Sequence, residues 1–360
     1  MDGGKLSIVV ACGGTGGHAF PGLAAAKELA SRGHDVTVWD SGRNVESSVM
    51  RNWDGKAFST GAKQLSAKNV FANIGAIWRC MRQMKKQKPD VLLAMGSYSS
   101  LPPVLAARWR GVPVVLHEAN TVPGKAVEFL SRFAKAVATS FQSTERYLPD
   151  ANTVCTGLPV RAGIAGGTRF PDIPEGAFTV FVTGGSQGAH AVNILASEAL
   201  VRLAKRIADE GGKPLYVIHQ TGAADEGRTI ATYAAAGIAA RVKAFENDMV
   251  GAFASADVVV ARAGASTCFE LAACGKCALL IPLPSAVRDH QHFNAEAFAS
   301  AGAADEGVQA KLTPESVAAY LYAKYRNRAR IKEMSEKIRT LATPDAAARL
   351  ADLVEQSAAR

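Results

Sequence analysis

The 360-residue chain is 48% hydrophobic and 20% charged, a balance that builds a large buried core and excludes a disordered or low-complexity protein. At roughly 100–200 residues per domain the length suggests two domains. Its 41 Lys and Arg against 32 Asp and Glu give a formal net charge of +9, which favours an acidic partner such as nucleic acid, an anionic membrane surface or a phosphorylated substrate. The excess is local: residues 1–160 carry net +8 and the remainder +1, and the stretch between Asp54 and Asp90 holds eight bases and no acid. A protein coated with nucleic acid would not need that asymmetry. No apolar run of 18 residues offers a membrane span. The apolar stretch 6–11 is too short for a signal-peptide core and runs into glycines, as expected of a cytosolic protein. Six cysteines lack secreted spacing and read as reduced thiols, and Cys274-Gly-Lys-Cys277 has no second pair to complete a metal site.

Short β-branched runs alternate with helical stretches, the pattern of parallel sheets covered by helices, so the fold class is α/β. Strands are expected at 6–11, 36–39, 91–95, 112–117 and 136–139, with a first helix from Pro21 to Gly33. These make one doubly wound unit. A Gly/Pro-rich stretch after Thr156 reads as a linker. The alternation restarts with strands at 179–183, 215–219, 242–245, 257–261 and 278–283, and the sequence after Leu312 is helical. Two Rossmann-like domains would hold a ligand between the carboxyl ends of their sheets.

Gly13-Gly-Thr-Gly-Gly-His18 lies between the first strand and the first helix, where backbone N–H groups and the helix dipole favour an anion. Asp40, ending the second strand, also fits the ribose acid of a dinucleotide fold, but the glycine spacing is not a clean GxGxxG. A histidine at a helix N-terminus is held neutral by the dipole, the state a general base needs. Gly184-Gly-Ser-Gln-Gly-Ala189 repeats the arrangement in the second half, with Ser186 as an extra hydroxyl donor. Arg262-Ala-Gly-Ala-Ser-Thr-Cys-Phe-Glu270 again joins a strand to a helix; Ser266 and Thr267 sit where phosphate donors belong, and Glu270 one turn on suits a ribose diol. No Asp-x-Asp and no GxxxxGK[ST] occur, so the reading calls for neither a metal-clamped diphosphate nor a P-loop, and for no cofactor.

These motifs, with His117-Glu-Ala-Asn120 and Asp289-His-Gln-His-Phe-Asn-Ala295, resemble the bacterial MurG family in the right order over nearly the whole chain. The resemblance implies a GT-B fold of two Rossmann-like domains facing each other across a cleft, and inverting transfer of GlcNAc from UDP-GlcNAc to lipid I, the undecaprenyl-diphosphate-linked muramoyl-pentapeptide, giving lipid II at the cytoplasmic face of the inner membrane. It further implies an acceptor and membrane-associated domain over 1–160, a UDP-GlcNAc domain over 161–340, and a C-terminal helix over 341–360 able to pack back on the first domain. By motif, His18 is the base; Thr15, Gly16, Gly17 and Asn120 line the sugar and diphosphate; Arg161, Ser186, Ala265, Ser266 and Thr267 meet nucleotide or phosphate. Glu246 offers its backbone to uracil, Glu270 holds the ribose, Gln291 reads GlcNAc, and Tyr98 and Glu118 are acceptor contacts. The chain departs from the family at Ala119, Leu158, His290 and the Gly96-Ser-Tyr-Ser-Ser-Leu-Pro102 loop. Related alternatives are another GT-B UDP-sugar transferase, such as one acting on diacylglycerol, and a non-catalytic nucleotide-sugar-binding scaffold.

Val70, Phe71, Ile74, Ile77, Trp78, Met81 and Met84 recur with helical period, with Arg79, Arg82, Lys85 and Lys86 on or beside the polar side. A core-facing helix explains the stripe; contact with the anionic cytoplasmic leaflet explains both the stripe and the missing acids.

Overall fold

The computed structural model describes residues 4–14, 16–42, 51, 53–64 and 66–358. Two compact units result: Met1–Ala162 with Thr343–Arg360, and Gly163–Ala342. Arg161 therefore belongs to unit 1.

Unit 1 is a parallel sheet of β1 (Ser7–Ala11), β2 (Asp35–Asp40), β3 (Lys56–Ser59), β4 (Val91–Ala94), β5 (Val114–Glu118), β6 (Ala136–Thr139) and β7 (Thr153–Cys155), in the order β3-β2-β1-β4-β5-β6-β7. In register, Ile8 lies between Val36 and Val91. Because helices cover both faces, the central strands are apolar throughout. One face packs Ile8, Val10, Leu93 and Val115 against α1 (Gly16–Ser31) and against Leu350 and Val354 of the helix Ala346–Ala358, numbered α12 below. The other packs Val9, Leu92 and Leu116 against Cys80 and Met84 of α2 (Val70–Gln87) and Val104 of α3 (Leu101–Arg110). A short α4 (Lys125–Ser131) follows β5.

Unit 2 repeats the plan. Its strands are β8 (Phe178–Thr183), β9 (Leu215–Gln220), β10 (Ala239–Lys243), β11 (Val258–Ala261), β12 (Cys277–Leu280) and β13 (Asp305–Glu306), ordered β10-β9-β8-β11-β12-β13 and parallel. The helices are α5 (His190–Asp209), α6 (Glu226–Ala235), α7 (Met249–Ser255), α8 (Ala265–Cys274), α9 (His290–Ser300), α10 (Pro314–Arg326) and α11 (Arg328–Arg339). Val180, Val182, Val217 and Val260 meet Leu200, Leu203, Leu321 and Met334 in the main core.

Three differences from the sequence reading have local causes. The strands β3, β7 and β13 are sheet edges with half-exposed or exposed residues, so they carry no run of apolar side chains to mark them. The strand expected at 242–245 lies earlier, at Ala239–Lys243, also on an edge. Helix α1 begins at Gly16, not Pro21. Pro21 stands inside the helix, one turn after its start, and the N–H that would reach the Gly17 carbonyl is missing there. That turn settles on β1 because Gly22 has no side chain: a Cβ there would stand 2.2 Å from Cys12 Cβ.

Helix α12 completes the unit 1 core, and Leu350 is fully buried there. Leu350→Ala should destabilise unit 1 by about 2–5 kcal/mol, read as a lower urea midpoint for unit 1 with the unit 2 transition unmoved.

Candidate functional site

Each sheet reverses its winding once, between β1 and β4 in unit 1 and between β8 and β11 in unit 2, and a crevice opens at the carboxyl ends of strands at such a point. In unit 1 the loop after β1 and the loop after β4 meet there. Gly14 adopts φ +116°, and a Cβ on it would stand 2.6 Å from Ser97 Oγ. The Ser97 hydroxyl donates to the Gly13 carbonyl at 2.7 Å and lies against the Ser99 hydroxyl, while Gly96 N–H donates to Ser100 Oγ at 3.1 Å. Serines thus brace the first glycine loop from the second. Gly16, Gly17 and His18 form the first turn of α1, His18 half-buried; Tyr98 is half-buried in the 3₁₀ turn Tyr98–Ser100. Thr15 lies outside the described residues.

At the end of β5 the chain uses two buried side chains differently. His117 points Nε2 at the Gly157 carbonyl (3.4 Å) and the Ser140 hydroxyl (3.5 Å), and its buried Nδ1 has no hydrogen-bond partner among the described residues. Burial pulls its pKa down to about 4, the Gly157 carbonyl opposing and nearby His18 adding to the shift, so it is neutral. Glu118, 3% exposed, accepts from Asn120 N–H and Nδ2 on Oε1 (2.8 and 3.0 Å) and from Gly124 N–H on Oε2 (2.9 Å). Burial raises its pKa against those donors. Glu118 therefore fixes the turn that carries Asn120. Arg161 stacks its guanidinium 4.0 Å from the Phe20 ring centroid, a cation–π contact with α1.

Unit 2 carries the remaining residues beyond the ends of β8, β10, β11 and β12. Ser186 is exposed in the 184–189 loop. Ala265, Ser266 and Thr267 form the first turn of α8, and the N–H groups at a helix N-terminus suit an anion; Glu270 is buried one turn later. Arg262, also buried, donates to the carbonyls of Ile281 (3.1 Å) and Pro282 (2.9 Å) and to Gln309, fixing the segment where Leu283 N–H donates to Gln291 Oε1 at 3.0 Å. The Glu246 carboxylate is buried; burial raises its pKa, but Arg241 at 2.8 Å and the Asp248 N–H outweigh that and hold it low. Cys274 and Cys277 bond to the Ile164 carbonyl and Met334 sulfur respectively, and the described residues contain no group of three or more His, Cys, Asp or Glu able to hold a metal.

Two features escaped the sequence reading. Gln220 bridges the 184–189 loop and Glu246; a polar residue closing an apolar strand, as in His219-Gln-Thr-Gly222, was the available signal. A network also runs from buried Tyr233 through His219, Asn193 and Asp225 to the exposed His190, with burial pulling the His219 pKa down to about 3.

Helix α2 also departs from a single core-facing stripe. It buries Asn73, Ala76, Cys80 and Met84, and Cys80 and Met84 share a core with Val104 of α3. Val70, Phe71 (86% exposed), Ile74 and Trp78 (61%) face outward, with Trp109 of α3 (67%). Beside them an open hollow of about 550 Å³ is lined by Trp78, Met81, Arg82, Lys85, Lys86 and Arg110. No helix among the described residues is long and apolar enough to cross a membrane.

The two neutral histidines set an acid limit. Below their ordinary pKa of 6.5 the unfolded chain binds protons that folded His117 refuses until about pH 4 and His219 until about pH 3. Stability contributed above pH 6.5 is therefore lost as pH falls, by ~2 kcal/mol per histidine between pH 7 and 5. Urea midpoints at the two pH values test this, and His219→Asn should flatten the dependence in unit 2 alone.

Comparison with known proteins bears on the whole chain. The glycosyltransferase family 28 N-terminal domain matches residues 8–139 and its C-terminal domain residues 179–350. The UDP-N-acetylglucosamine--N-acetylmuramyl-(pentapeptide) pyrophosphoryl-undecaprenol N-acetylglucosamine transferase of Syntrophotalea carbinolica is 37% identical over 355 residues, covering 96% of this chain and 97% of that protein. Its namesake in Cupriavidus metallidurans is 38% identical over 375 residues, covering 98% and 99%. The crystal structure of Acinetobacter baumannii MurG matches with TM-score 0.76 at 31% identity, over 98% of this chain and 99% of that one. A UDP-N-acetylglucosamine 2-epimerase with TM-score 0.75 is 14% identical and shares the fold alone. With both family domains matched in order and such identity along nearly its full length, the chain belongs to glycosyltransferase family 28, in its MurG branch.

Proposed function

We propose that the protein transfers GlcNAc from UDP-GlcNAc to the 4-hydroxyl of the MurNAc of lipid I, giving lipid II with inversion at C1. The observation that carries this is the pairing of a glycine loop and helix N-terminus at the switch point of each unit, with His18 in the first turn of α1, in a chain 37% identical throughout to a transferase named for this reaction. His18 takes the proton of the acceptor hydroxyl as its oxygen bonds to C1. The bond from C1 to the diphosphate oxygen breaks, and UDP leaves with the electron pair. Its growing charge is met by the N–H groups of the first turn of α8 and of the 184–189 loop, with Ser186, Ser266 and Thr267 adding hydroxyl donors. Glu270 accepts from the ribose, Glu246 offers its backbone to uracil, Arg161 meets the nucleotide, and Gln291 reads the sugar. Thr15, Gly16, Gly17 and Asn120 line the sugar and diphosphate, and Tyr98 meets the acceptor, with Glu118 holding Asn120 in place.

His18→Ala should lower kcat by roughly 10²–10⁴ while UDP binding by calorimetry stays within twofold. Near-normal turnover would remove His18 from the role of base, and faster transfer to diacylglycerol than to lipid I would replace the acceptor.

The α2 surface is the membrane contact. Val70, Phe71, Ile74 and Trp78 present an apolar patch that monomeric proteins ordinarily cover, and the bases beside it suit the anionic cytoplasmic leaflet, each adding about 1 kcal/mol near the surface. Arg79, Arg82, Lys85 and Lys86 replaced together by Glu should abolish co-sedimentation with vesicles containing phosphatidylglycerol. Phe71→Ser with Trp78→Ser should weaken binding to the same vesicles at high salt, where the charges are screened.

A further inference from the structure

Ser97, in the loop after β4, is 8% exposed. Its one hydroxyl proton goes to the Gly13 carbonyl at 2.7 Å, since a carbonyl can only accept. Its oxygen accepts the Ser99 N–H at 3.1 Å, which caps the 3₁₀ turn Tyr98–Ser100. With its proton spent, Ser97 can only accept from the Ser99 hydroxyl as well. Donation therefore runs one way, from Ser99 through Ser97 to Gly13. The receiving peptide needs such a hold. Gly13 and Gly14 are both buried, and neither has a side chain to oppose rotation of the peptide between them. Gly14 stands at φ +116°, which favours glycine, and a Cβ there would lie 2.6 Å from Ser97 Oγ; a Cβ on Gly13 would lie 2.8 Å from Ser41 N. The C=O and N–H of a trans peptide point to opposite sides, so the bond to Ser97 sets the direction of the whole peptide. A carbonyl oxygen held on a buried serine is not turned toward an anion at the N-terminus of α1. Because the same hydroxyl caps the turn that carries Tyr98, one group fixes the loops after β1 and β4 against each other.

We propose that Ser97 is a positioning residue for the acceptor: through the Gly13 carbonyl and the Tyr98 turn it holds the first glycine loop in the orientation that receives an anionic acceptor, with Ser99 acting through Ser97. This rests on unit 1 being the acceptor unit. Alanine at 97 leaves the buried Gly13 carbonyl without its hydroxyl and the 3₁₀ turn without its cap. Alanine at 99 keeps the bond from Ser97 to Gly13 and the backbone cap, and removes the hydroxyl that orients Ser97.

Steady-state transfer from UDP-GlcNAc to lipid I by the full-length protein tests the proposal, beside UDP calorimetry and thermal melting to establish that each variant is folded. Ser97→Ala should raise the KM for lipid I about tenfold, with kcat at saturation and UDP affinity within about twofold. Ser99→Ala should raise the same KM about threefold. The double variant should match Ser97→Ala within about twofold, because the Ser99 hydroxyl has no route to Gly13 once Ser97 is gone. An unchanged KM in Ser97→Ala, an additive rise of about thirtyfold in the double variant, or a UDP affinity that falls along with the acceptor KM would overturn the positioning role. If Ser97→Ala does not fold, Ser99→Ala carries the test, and an unchanged KM there overturns the role. Failure of the unaltered protein to glycosylate lipid I while it still binds UDP would overturn the acceptor reading and the proposal with it.

Discussion

Where a parallel sheet reverses its winding, the two flanking crossovers leave on opposite faces and the backbone between them has no neighbour to cover it. Both units place their glycine loops at that position, after β1 and after β8. Uncovered N–H groups at a helix N-terminus attract anions without any charged side chain, but the same groups are poorly held when nothing occupies them. The geometry of the site therefore depends on what fixes those loops from behind.

The two units answer that need with different chemistry. Unit 1 uses hydroxyls: Ser97 bonds to Gly13, and the absent side chain of Gly14 makes room for Ser97. Unit 2 uses amides: Gln220 joins Gly185 to Glu246, and Asn193 donates to the Thr221 carbonyl at 2.7 Å. Among the described residues these fastenings of the glycine loops are uncharged, which avoids the desolvation penalty of a buried salt bridge. The one buried carboxylate close to the unit 1 loops, Glu118, is compensated by three N–H donors.

The central strands were legible because apolar runs such as Ile8 to Val10 and Val258 to Val260 are buried on both faces and flanked by glycine. Edge strands were not, since Lys56–Ser59 and Asp305–Glu306 bury too little to impose a pattern. The start of α1 was misplaced because proline ordinarily marks a first helical position, whereas here close contact between Gly22 and Cys12 decides where the helix lies. The α2 stripe was visible as a period but not as a direction: the core took the narrower line from Asn73 to Met84 and left Phe71 and Trp78 outside. At the candidate site, the residues proposed to meet a ligand carry motif signals, while Gln220 bonds to backbone atoms 35 residues before it and 26 after it, a relation that exists only after the sheet has formed.

Helix α12 lies in the same apolar cluster as α1 and the central strands of unit 1, yet all of unit 2 separates it from β7 in the chain. During synthesis, domains generally fold as units in the order they emerge. Unit 1 cannot follow that order, because Leu350, Ala351, Leu353 and Val354 are translated after residue 342. Unit 2 can close its core first, and the face of the first sheet that awaits α12 stays open until then. The half that bears the apolar α2 surface is thus finished last, which delays its mature form until unit 2 is already built.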